Sequence, residues 1–164
     1  MAVRDIVRYP DPRLKTVAAP VTVFDDALAG LAADLLDTLR AAPGIGITAP
    51  HVGVPARVVV LELSPEEGPR TYVNPQIIAR SDEMMRHMEG SISMPGVTDE
   101  LDRHARVTVR FQELDGTVGE EEAEGLRAVC HQHEIDQLDG IFWVQRLSRL
   151  RRDRLVRRYE KLGR

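Results

Sequence analysis

The sequence predicts an α+β fold, and three observations carry that expectation. An amphipathic helical repeat near the start is followed by β-branched and alternating segments through the middle. A tight-turn pair, Asp115-Gly116, then separates two short alternating arms. Helical patterns return only at the end, so strands and helices are segregated along the chain rather than interleaved as in a parallel βαβ sheet.

The first helix is expected over residues 25–40 (DDALAGLAADLLDTLR), where Leu28, Leu31, Leu35 and Leu39 fall on one face. Asp25 or Asp26 serves as its N-cap, and Pro43-Gly44 stops it. Residues 57–63 (RVVVLEL) form a β-branched run between Pro55 and Pro65 and read as a strand. Residues 72–78 read as another, which Pro75 pushes toward a sheet edge or a bulge. RVTVRF, residues 106–111, alternates with period two, and Asp115-Gly116 predicts a hairpin whose second arm runs from about 117 to 124. A helix follows over 125–138, with Leu126, Val129 or Cys130, His133 and Gln137 in one stripe. A last amphipathic helix is expected from about 146, with Leu147, Leu150, Leu155, Tyr159 and Leu162 toward the body.

The chain has 164 residues, 43% hydrophobic and 29% charged, which suits one domain over 1–164 with a core of its own. No apolar run is long enough to span a bilayer, so no membrane partner is expected. The opening MAVRDIVRYP lacks the apolar stretch of a secretory signal, and Cys130 is the only cysteine. No internal disulfide can form, and a cytoplasmic address is expected. The net charge of −4 is unevenly spread: the last twenty residues carry nine Lys or Arg against two acids, leaving the rest strongly acidic. A basic tail on an acidic body fits either self-complementary packing or an anionic partner.

The chemistry is concentrated in HQHEIDQLDG, residues 131–140. His133 and position 137 are four apart on a helix and share a face, with Glu134 about 100° around. Two His at that spacing with an adjacent Glu would give two metal ligands and a general base, but position 137 is Gln. His131 lies two residues from His133 on nearly the opposite face, and is read as an exposed or packed side chain. Cys130 is read as a small core residue. Met84, Met85, Met88 and Met94 cluster in sequence and fit either an apolar pocket or loop packing. Arg103 is read as a structural salt-bridge residue.

Two further stretches extend the pattern: GIGITAPHVGVP at 44–55 and EGSISMPG at 89–96. With the helix motif, in this order and spacing, they resemble the three motifs of peptide deformylases. YPDPRL near the N-terminus and FWVQRLS after the helix add to the resemblance, which spans nearly the whole chain. It implies antiparallel sheets wrapped around a central motif-bearing helix. It also implies a hydrolase that uses iron or zinc to remove the formyl group from the N-terminal methionine of nascent chains. Carried over by position, Glu134 matches the catalytic acid/base and His133 the first His ligand; Gly44, Gly46, Glu89, Gly90 and Gln132 match framework positions. Ser91 stands at the family's Cys ligand, Gln137 at its second His ligand, and His51 at the Gln that, with the backbone N–H of Ile92, would stabilise an oxyanion. Thr48 replaces an Ala of the first motif.

These departures fall on the chemistry. A cysteine binds metal as thiolate because its pKa, about 8.5, drops easily beside a cation; a serine hydroxyl stays neutral. A carboxamide oxygen suits calcium better than zinc or iron. Three readings are open at this stage. The positions could form a hydrogen-bonded polar remnant, or His51 could join Ser91 and His133 in a rearranged metal set. Alternatively Ser91 and His133 could pair as nucleophile and base without metal. The sequence therefore predicts a peptide deformylase-like protein, inactive or very weakly active, with a pocket for peptide N-termini. The alternative is a working deformylase with rearranged ligands or the Ser91–His133 pair. The expected cofactor is none, or a weakly held divalent metal. The expected partners are N-formylmethionyl peptides, and the ribosome through the basic C-terminal helix, whose Arg149, Arg151, Arg152, Arg154, Arg157 and Arg158 equally fit a solvated face.

Overall fold

A computed structural model of the chain describes residues 2–163. Three helices, α1 (Asp26–Ala41), α2 (Gly125–Leu138) and α3 (Arg149–Leu162), flank two antiparallel sheets. The larger has the strand order β1 (Gly46–Thr48), β2 (Val58–Leu61), β3 (Arg70–Arg80), β6 (Arg106–Gln112) and β7 (Val118–Glu124). The smaller is one hairpin, β4 (Met84–Ser91) with β5 (Met94–His104). This is the α+β architecture that the sequence predicts.

β2 shows why the core takes this shape. All four of its residues, VVVL, are buried, which a strand does only when both faces are covered. Val58 and Val60 pack with Leu28, Leu35 and Leu39 of α1, while Val59 and Leu61 pack with Ala128, Ile135 and Leu138 of α2. The alternation of strand side chains thus sends one half of β2 to each helix. α1 is capped as expected, by the Asp25 carboxylate accepting from the Leu28 N–H at 3.0 Å.

β3 takes the second of its two expected arrangements: it lies between β2 and β6, not at an edge, and accommodates Pro75 at a bulge-like register shift between Val73 and Gln76. Asn74, with φ +51°, makes the kink, and its side chain takes over the pairing by bonding Val21 and Gln112. The hairpin before α2 forms as predicted, with Arg106 paired to Glu124 and Gln112 to Val118. Gly125, at φ +61°, turns the chain from β7 into α2.

The tail departs from expectation. A 3-10 turn occupies Trp143–Arg146, and α3 begins only at Arg149, where the Ser148 hydroxyl accepts from the Arg151 N–H. Leu155 is buried and Leu147 joins the same apolar cluster, but Leu150 and Leu162 are exposed at about 60%. α3 is instead pinned to β5 by Arg151, which meets Asp99 and the Glu100 carbonyl, and by Arg158 on the Thr98 carbonyl. Arg149, Arg154, Arg157 and Lys161 stay exposed, so α3 presents a basic outer face. No helix among the described residues is long and apolar enough to cross a membrane.

Candidate functional site

Both sheets meet α2, the turn into β1 and the end of β4 around a cavity of about 360 Å³. Its walls include Gly44, Gly46, His51, Glu89, Ser91, Ile92, His133 and Glu134, together with Leu126, Val129 and Cys130. Three segments far apart in sequence, 44–51, 88–95 and 126–134, are therefore brought to one place.

His133 is oriented by charge. Its Nδ1 lies 2.8 Å from Glu89 Oε1, and Glu89 is gripped by Arg103 through two bonds of 2.7 and 2.8 Å. Burial alone would raise the Glu89 carboxyl, but the Arg103 guanidinium and His133 outweigh it and hold it at about 2. An ionised carboxylate only accepts, so His133 Nδ1 carries the hydrogen and donates it. Nε2 is then the nitrogen turned toward Glu134, whose Oε1 lies 3.6 Å away. Burial would lower the His133 pKa; the negative charges of Glu134 and Glu89 more than offset this and raise it. Glu134 is pushed up to about 7, mainly by burial, against the pull of His133. Its Oε2 has no hydrogen-bond partner among the described residues.

The ionic chain continues outward. Arg103 also donates to Asp136 at 2.7 Å, and Asp136 accepts two bonds from Arg146, at 3.0 and 2.8 Å. The Gln132 amide clips α2 to the end of β5, accepting from the His104 N–H and donating to the His104 carbonyl, each at 2.9 Å. Hairpin, helix and following turn are thereby locked together around His133.

The remaining sequence-predicted positions behave differently. Gln137 is buried and is not part of the cavity wall; its NH2 donates to the Leu14 carbonyl at 2.7 Å. Ser91 lines the cavity, and its Oγ accepts from the Ser93 N–H at 3.1 Å. Among the described residues no hydrogen bond joins the Ser91 hydroxyl to the His133 imidazole. Ile92 lines the cavity, and its carbonyl accepts from Arg8. His51 is buried, with Nδ1 held by Thr48 and Nε2 without a hydrogen-bond partner among the described residues. Cys130 also lines the cavity, with its thiol pushed up to about 12, chiefly by burial, so it is protonated at neutral pH. His131 packs away from this site, edge-to-face on Tyr72 at 4.7 Å. Of the methionines, Met94 is in the core, whereas Met88 lines the cavity and is half exposed. Arg103 is the salt-bridge residue expected of it, but its partners, buried Glu89 and part-buried Asp136, also make it part of the support under His133.

Gly46 has a specific reason to lack a side chain. A Cβ there would stand 3.0 Å from Leu61 Cδ2 and 3.1 Å from Glu134 Oε2. Gly46→Ala is expected to cost about 1–3 kcal/mol through overpacking and to displace Glu134. Thermal unfolding should show the loss, and a melting temperature equal to that of the unaltered chain would contradict the close approach.

A model of the family described as polypeptide deformylase matches residues 3–153. The chain belongs to the peptide deformylase family. Its relatives include a protein of Brucella melitensis called peptide deformylase-like, 67% identical over the whole of both chains. Another, a peptide deformylase of Afipia carboxidovorans, is 43% identical over 98% of this chain and 96% of its own. Among solved structures, a peptide deformylase from Legionella pneumophila superposes with a TM-score of 0.94 at 37% identity, covering 99% of this chain and 96% of that one. The peptide deformylase fold is thus present throughout, with the altered positions inside an intact frame.

A transition metal is implied by the family resemblance, and the donors can be tested against it. Iron or zinc favours thiolate and imidazole, normally three strong protein ligands with one open position. Here the three family positions supply a neutral hydroxyl that already accepts a hydrogen bond, a neutral carboxamide whose NH2 is tied to Leu14, and one imidazole nitrogen. Among the described residues no group of three or more His, Cys, Asp or Glu side chains is arranged to hold a metal ion. The donor set does not fit.

Proposed function

We propose that this protein is a peptide deformylase-family member with a degenerate metal centre, inactive or very weakly active as a deformylase, whose pocket still takes peptide N-termini. The observation that supports this reading most directly is Gln137: a neutral carboxamide, tied through its NH2 to the Leu14 carbonyl, stands where a second imidazole is needed, so a second strong ligand is missing as well as the thiolate. Without a metal to acidify it, water beside Glu134 keeps a pKa near 15.7 in place of about 7. Glu134 alone cannot make up that difference as a base. The cavity walls support the binding half of the proposal. Ile45, Ile92, Leu126 and Val129 offer apolar surface, while Glu134 Oε2 and His51 Nε2, on the same wall, have no hydrogen-bond partner among the described residues.

The test is metal analysis of the purified protein together with formate release from an N-formylmethionyl peptide. The expected result is substoichiometric iron and zinc, with formate release near background and saturable peptide binding by calorimetry. Stoichiometric metal with brisk formate release would overturn the proposal. So would a complete lack of peptide binding, for its second half.

A further inference from the structure

Thr48 and His51 are both departures from the first family motif, and they touch each other. The Thr48 N–H donates to His51 Nδ1 at 2.9 Å, and the His51 N–H meets Thr48 Oγ1 at 3.4 Å. Together these make a capping box at the start of the 3-10 turn Ala49–Val52. The Thr48 hydroxyl is also 3.0 Å from Nδ1. Because it accepts from the His51 N–H, its one hydrogen is free to point at Nδ1, so every contact has a consistent donor and acceptor. The His51 carbonyl accepts from the Val7 N–H at 2.7 Å, which fixes the backbone beneath the ring.

This geometry decides the tautomer. A backbone N–H can only donate, so Nδ1 must be the lone-pair nitrogen and Nε2 must carry the hydrogen in the neutral ring. Nε2 is buried, has no partner among the described residues, and belongs to a side chain on the cavity wall. An imidazole binds a metal through a lone pair. Here one lone pair is occupied by Thr48 and the other nitrogen has none to offer. Turning the ring over would leave the Thr48 N–H without its acceptor in a buried place.

We infer that Thr48 locks His51 as an Nε2–H donor on the cavity wall, where it binds a carbonyl oxygen of the ligand and cannot serve as a metal ligand. Only the carbonyl role rests on the peptide-pocket reading above. A rearranged metal set through His51 is thereby disfavoured on hydrogen-bond grounds alone. The two substitutions also become one: a histidine gains a defined ring orientation because residue 48 brings a hydroxyl to support it.

Nitrogen-15 NMR of the full chain labelled at histidine tests this at neutral pH, with His51 assigned through His51→Gln. The expected result is a protonated Nε2 and an unprotonated Nδ1, unchanged when zinc alone is added. An Nδ1–H tautomer, or a zinc-induced shift at His51 Nε2, would overturn the inference. In a second measurement an N-formylmethionyl tripeptide is titrated calorimetrically. His51→Gln, which keeps an N–H donor, should hold its Kd within about threefold, whereas His51→Leu should weaken it by roughly tenfold or more. Equal binding by His51→Leu would remove the carbonyl role. Absence of peptide binding to the unaltered chain would remove that role together with the peptide-pocket reading. The NMR result would then still decide the tautomer and the exclusion from metal binding.

Discussion

Ser91→Cys combined with Gln137→His is expected to raise metal content and formate release together. The cysteine supplies an ionisable ligand at the end of β4, and the histidine supplies a second imidazole one helical turn from His133. Even groups that merely support a metal ligand are worth roughly 10- to 100-fold each in affinity. Restoring two direct ligands should therefore strengthen metal binding by at least about 10²- to 10⁴-fold. Turnover of an N-formylmethionyl peptide should follow if Glu134 serves as the acid/base that the family resemblance implies, since it already lines the cavity beside His133. The double change also removes the bond from Gln137 to Leu14, so thermal unfolding must be measured alongside. A folded double variant that stays metal-poor and silent would mean that the pocket, and not only its ligands, has moved away from the family geometry.

Arg103→Met should produce the largest loss of stability. Arg103 is 5% exposed and holds two carboxylates, Glu89 and Asp136, one of them 4% exposed. Removing one partner of a buried ion pair typically costs 3–5 kcal/mol, because an uncompensated charge is left behind. For a chain of this size that corresponds to a fall in melting temperature of roughly 6–20 °C. Arg86→Met is the control: its partner Asp102 is also carboxylate, but the two side chains are 60% and 55% exposed, so less than about 1 kcal/mol is expected. The sign with pH follows from Glu89. Its folded pKa is depressed to about 2, so the stability it contributes is present above the ordinary carboxylate range and is lost as pH falls toward that value. If Arg103→Met and Arg86→Met melt together, the buried network contributes nothing beyond an exposed pair.

Much of this was legible in the sequence, for identifiable reasons. α2 occupies the residues expected of it because a hairpin turn, a glycine and a helical stripe follow one another with no competing signal. β2 was recognisable from its β-branched run between prolines. The β4–β5 hairpin was not assigned from the sequence. Buried residues in β5 fall at Met94, Val97, Leu101 and Arg103, a spacing that breaks the two-residue rhythm. At the site, helical geometry correctly put His133 and Glu134 on neighbouring faces. It could not reveal that the Gln137 amide turns to a carbonyl 123 residues earlier, because that partner exists only in the folded chain. The Thr48–His51 pairing was visible in principle, since Thr-x-x-His has the spacing of a capping box. Its Glu or Gln member is replaced by His, which hid the signal.

The run of four apolar residues in β2 has a consequence for alignment. A strand with one wet face is held in place by its own pattern, since a shift of one residue would put oil in water. VVVL has no such safeguard, as a slipped copy would look the same to both helices. Arg57, just before the strand, adds contacts that a slipped strand would lose. Its carbonyl accepts from the Asn74 N–H at 2.8 Å, and its guanidinium reaches the Leu138 carbonyl and the Asp139 carboxylate beyond the end of α2. One arginine outside the pocket therefore ties the start of β2 to the far end of the helix that carries His133 and Glu134, at the opposite end from the Gln132 clip on β5.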